Sequence, residues 1–81
     1  MYMNKGIEIF GWYGMAAILT AYILVSFAIV DSSNIWFQIL NGTGALGIVI
    51  ESLSKKDYQP GILNIVWFVI ALVAIIKIII Q

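Results

Sequence analysis

The stretch Gln38-Ile39-Leu40-Asn41-Gly42-Thr43-Gly44-Ala45-Leu46-Gly47 decides how this chain is read. It lies within a run from Ile35 to Leu53 that has the length of a membrane span, roughly 20 helical residues. Yet it carries two amides, a threonine and three glycines. An amide in hydrocarbon needs a hydrogen-bonding partner, so Asn41 must face another helix or a polar cavity. The same holds for Asn64, in Pro60-Gly61-Ile62-Leu63-Asn64-Ile65-Val66-Trp67.

On either side of this run the sequence is more apolar. Of 81 residues, 63% are hydrophobic and 10% charged, more apolar surface than so small a domain can bury from water. Lipid is therefore the expected solvent. Three spans are expected, at about 7–30, 35–53 and 61–80, in one domain covering 1–81. Polar links join them: Asp31-Ser32-Ser33-Asn34, then Ser54-Lys55-Lys56-Asp57-Tyr58-Gln59. Lys5 and the Ser26-Phe27-Ala28 triplet have the outline of a signal peptide, but the run Ile7 to Val30 exceeds a signal h-region and reads as a retained span.

Ser33 or Asn34 is placed to cap the second helix, and Pro60 falls in the first turn of the third. Lys77 meets the negative dipole end of the third helix and snorkels to the surface. Lys5, Lys55 and Lys56 share one side, which the positive-inside rule makes cytoplasmic together with the amino terminus. Trp12, Tyr13 and Tyr58 then sit at the inner interface and Trp36 at the outer one. The second span is the least apolar and should be the most surrounded by protein.

Four basic and four acidic residues cancel, so nothing points to nucleic acid. Cysteine and histidine are absent, which removes disulfides, thiol chemistry, most metal ligation and the usual general base. No catalytic residue, metal or cofactor is expected, and an enzyme is not.

Small residues recur at helical spacing: Gly11, Gly14 and Ala17 in the first span, and Gly42, Gly44, Ala45 and Gly47 in the second. Such faces let helix backbones approach closely, which drives association in lipid. At about 1.5 Å per residue, Gly14, Gly47 and Trp67 share one depth and Tyr22 and Asn41 another. Asn64 lies one turn from Trp67 on the same face. The indole N–H requires an acceptor. Two readings follow for the polar residues: hydrogen bonds between helices, or the lining of a cavity for a polar, uncharged ligand. Glu8, Glu51 and Asp57 lie near Lys5, Lys55 and Lys56 at one interface and read as surface charge pairs, not as a proton-coupling site.

Gly11-Trp12-Tyr13-Gly14, Ala21-Tyr22 with Ser26, Gln38 with Leu40-Asn41, Gly44-Ala45, and Pro60 with Leu63-Asn64, Trp67 and Ala71 together resemble a family of small, uncharacterised, three-helix bacterial inner-membrane proteins. The chain also resembles the SemiSWEET and PQ-loop transporters, three-helix chains that pair into a sugar-transporting homodimer. Asn64 looks like their substrate-lining asparagine. The first span lacks their Pro-Gln motif, and Trp67 lies on the third helix where theirs lies on the second.

The expectation is an all-α membrane protein that assembles as a SemiSWEET-like, homodimeric six-helix bundle, because three helices alone cannot enclose a polar path. It is expected to transport a small polar uncharged solute past Asn64, Trp67, Asn41 and Tyr22. The alternative is a structural or accessory membrane subunit whose polar residues fix helix packing.

Overall fold

Glycine and alanine faces bring three antiparallel helices together in the computed structural model, which describes residues 5–81. The first four residues of the expected 1–81 unit lie outside that range. The helices are α1 (Lys5–Ser26), α2 (Ile35–Ser54) and α3 (Tyr58–Ile80). Both α1 and α3 pack on α2 and not on each other, so α2 is the central element of an open arrangement. The long dimension is 44 Å.

The α1–α2 seam is close because no side chain separates the backbones. A Cβ at Gly14 would lie 2.5 Å from the Gly44 carbonyl oxygen, and one at Gly47 would lie 2.6 Å from that of Phe10. Ala17 packs against Gly44, 3.0 Å from where its Cβ would be. Across the other seam, Ala71 faces Gly42 and Leu53 faces Gly61. The buried apolar residues are all alanines: Ala17, Ala21, Ala45 and Ala71. Bulky aliphatic side chains lie mostly outside, so close backbone packing, not a large-residue core, holds the helices together. As expected, α2 is the most enclosed helix, with Gln38, Gly42, Gly44, Ala45, Gly47 and Ser52 buried.

Helix α1 ends at Ser26, short of the 7–30 run expected for the first span. The Ile29 N–H donates to the Leu24 carbonyl at 2.9 Å, and the Ala28 N–H to that of Val25 at 3.0 Å. This pair closes a Schellman turn, with Ala28 in the left-handed region at φ 58°. Phe27 and Ile29 keep the sequence apolar past the turn, which hid the helix end. The end of α2 repeats the device: Asp57 N–H donates to Ser52, Lys56 N–H donates to Leu53, and Lys56 has φ 59°.

The cap of α2 is Asn34, whose Oδ1 accepts from the N–H groups of Trp36 (2.8 Å) and Phe37 (3.3 Å). Ser33 donates to Asp31 through both its N–H and its hydroxyl, which holds the Asp31 carboxyl below its ordinary pKa. Buried Gln38 donates to the Ser32 carbonyl at 2.7 Å and anchors the link to the helix. Helix α3 begins at Tyr58, with Pro60 in its first turn, where a missing N–H breaks no helical bond.

Helices α1 and α3 are long and apolar enough to cross a membrane. Helix α2, expected as a span, falls outside that class, because Gln38, Asn41, Glu51 and the glycines dilute its apolar residues.

Two outcomes follow. Gly47→Ala pushes a methyl into the Phe10 carbonyl and should destabilise the fold by about 1–3 kcal/mol, whereas Gly11→Ala meets only the flexible Glu51 side chain and should stay within about 0.5 kcal/mol. Ala28→Gly and Lys56→Gly each relieve a left-handed residue and should stabilise by about 0.5–1 kcal/mol. Denaturant unfolding in detergent micelles, followed by helicity, measures both.

Candidate functional site

Polar side chains on α2 receive hydrogen bonds from aromatic residues on both flanking helices. From α3, Trp67 Nε1 donates to Asn41 Oδ1 at 3.0 Å. From α1, the Tyr13 hydroxyl lies 2.7 Å from Thr43 Oγ1. The Thr43 hydroxyl donates to the Ile39 carbonyl at 2.8 Å, which uses its one proton, so Tyr13 is the donor in the pair. Each bond joins a large ring on an outer helix to a small acceptor on the central one.

The acceptor that the Trp67 indole requires is thus Asn41. Depth counting had separated the two, because it counts backbone rise and ignores the reach of an indole. The Tyr13–Thr43 bond was not foreseen; Thr43, the hydroxyl-bearing residue amid the glycines, was its only signal. Asn64 behaves differently. Its Nδ2 donates to the Pro60 carbonyl one turn earlier on its own helix, at 2.8 Å. The Asn64 Oδ1 and the Asn41 Nδ2 make no hydrogen bond among the described residues.

Between α1 and α3, with α2 as its floor, lies a cleft of about 510 Å³. Glu8 and Trp12 of α1, Glu51, Ser52 and Lys55 of α2, and Asp57 line its charged end. The Lys55 ammonium pairs with Glu51 at 2.8 Å, the surface pairing expected, and Glu51 holds its pKa above the ordinary lysine value. A second, wholly apolar cleft of about 460 Å³ is lined by Met15, Ile18, Leu19, Tyr22 and Ile48. Among the described residues no three carboxylates are grouped to hold a metal ion.

The four residues expected to line a path therefore fall on one side of the molecule without forming a single cluster. Tyr22 lines the apolar cleft with Ile48. Asn41 lies seven residues from Ile48, on the same face of α2. Trp67 is bonded to Asn41, and Asn64 lies one turn beyond Pro60, which lines the charged cleft. The packing residues Gly14, Ala17, Gly42, Gly44 and Gly47 are at the seams, Ala45 is buried, and Gly11 abuts Glu51.

A double-mutant cycle separates the two asparagines. Trp67→Phe with Asn41→Ala should show a coupling of about 0.6 kcal/mol, with about 1.7 as its ceiling. Asn64→Ala with Asn41→Ala should be additive within about 0.5 kcal/mol, because the Asn64 bond stays within α3. Unfolding free energies in micelles supply both numbers.

No curated protein and no solved structure matches this chain, and nothing in these comparisons supports the SemiSWEET or PQ-loop resemblance. A family model does match, over residues 7–81, nearly the whole chain. The chain belongs to that uncharacterised family of proteins.

Proposed function

We propose that this protein is a non-transporting structural or accessory subunit of the bacterial inner membrane, a multi-pass homodimer whose polar residues fix helix packing. The observation that carries the reading is the pair of aromatic donors, Tyr13 and Trp67, bonded to Thr43 and Asn41 on the central helix. Polar groups that set the register of one helix against its neighbours serve assembly.

Bilayer placement rests on α1 and α3, which are apolar along their length and mostly exposed within the chain. Helix α2 has 20 residues and packs along both of them, so it shares their depth and crosses with them. Lys5, Lys55 and Lys56 lie at one end and Lys77 near the other, which favours a cytoplasmic amino terminus. For the homodimer, the support is a second open flank of α2. Thr43, Leu46 and Leu53 are exposed there, and helical spacing sets them opposite Ile48 and Lys55. That flank is the surface we assign to a second copy.

One observation favours the transport reading. Tyr22 lines the apolar cleft, and one donor of Asn41 and one acceptor of Asn64 are unused among the described residues. Two copies closing face to face across the cleft would enclose a path for a polar uncharged solute.

The readings place the dimer interface on opposite flanks, and a chain without cysteine makes the test clean. Leu46→Cys should cross-link into a disulfide dimer in membranes, while Met15→Cys should not. The reverse pattern, together with solute uptake into liposomes that Asn64→Ala abolishes, would establish the transport reading instead. A strict monomer in nanodiscs would remove both.

A further inference from the structure

The two clefts share Met15 and Ile48, so they form one continuous groove. Its α1 wall is a single helical stripe, Glu8, Gly11, Met15, Leu19 and Tyr22, at spacings of three and four. Fourteen residue steps from Glu8 to Tyr22 rise about 21 Å. That equals one leaflet with its headgroups, half of the roughly 40–45 Å bilayer. The groove is chemically divided along this length, with every charged side chain at the loop end and an apolar body beyond.

At the charged end three carboxylates, Glu8, Glu51 and Asp57, face one ammonium, Lys55. Lys55 is paired to Glu51, and Glu8 and Asp57 make no ion pair among the described residues. Ser52, 2% exposed, also lines this end. Trp12 adds an aromatic face suited to a cation. The acidic residues thus face a groove with an apolar extension, and an amphiphile with a cationic head satisfies both.

We propose that the groove holds one phospholipid with a primary-ammonium head, of the phosphatidylethanolamine class. The inference rests on the bilayer placement above but not on the packing role. The head ammonium meets Glu8 and Asp57 and donates to the Ser52 hydroxyl. Lys55 spends one of its three donors on Glu51 and keeps two for the lipid phosphate. One acyl chain lies along Met15, Ile18, Leu19 and Ile48, toward Tyr22. An anionic glycerol head meets the Glu8 and Asp57 carboxylates and is disfavoured. A choline head is also disfavoured, because it has no N–H to donate.

Native mass spectrometry of the full chain, released from nanodiscs of equal phosphatidylethanolamine and phosphatidylglycerol, tests this directly. The expected result is one retained lipid per chain, with phosphatidylethanolamine favoured about tenfold, a preference worth about 1.4 kcal/mol. The exposed double variant Glu8→Gln with Asp57→Asn should bring the ratio near one, and Met15→Trp should lower retention of both lipids, each with helicity unchanged. Equal retention by the wild-type chain, or a preference that survives the double variant, overturns the proposal. The dimer contact is read separately: Leu46→Cys cross-linking with no lipid preference defeats only the lipid site, and a preference without cross-linking defeats only the dimer.

Discussion

The backbone contact between α1 and α2 at Gly14, Gly44 and Gly47 is the constraint on which the rest depends. Carbonyl oxygens of one helix occupy the space where Cβ atoms of the other would stand. At that separation Ala17 meets Gly44 and the Tyr13 hydroxyl reaches Thr43. The second seam is looser, with Ala71 against Gly42 and the flexible Leu53 against Gly61. Helices α1 and α3 both pack on α2 and not on each other, which leaves a groove open along α1 and the exposed face of α2.

Residue size also explains why α2 carries the polar groups. Helix α2 buries Gln38 and gives each polar side chain a partner: an indole for Asn41, a phenol and the Ile39 carbonyl for Thr43, and a loop carbonyl for Gln38. The outer helices present Ile, Val, Leu and Phe outward and supply rings as donors. This division suits a bilayer, where outward polar groups are expensive and inward ones strengthen packing. It also explains why α2 is less apolar than its neighbours while lying between them.

Much of this was legible in the sequence. Three helices, the α2 cap at Asn34, Pro60 in the first turn of α3 and the packing role of the glycines follow from local chemistry. The end of α1 did not, because its left-handed turn residue is Ala28 where glycine is the usual signal, and apolar Phe27 and Ile29 mask the stop. The Asn41–Trp67 bond escaped because side-chain reach is invisible to a count of helical rise. The Asn64 amide N–H donates to the Pro60 carbonyl, a local bond that hydropathy cannot reveal. The groove needed the order of packing, since nothing in the sequence states that α1 and α3 stay apart.

The central claim is that α2, held between α1 and α3, crosses the bilayer with them. Single cysteines at Ser33 and Ser54, the two ends of α2, test it with a membrane-impermeant maleimide on sealed, oriented vesicles. The account predicts labelling of the two positions from opposite sides, with a cysteine at buried Ala45 protected from both. Labelling of both ends from one side would contradict it.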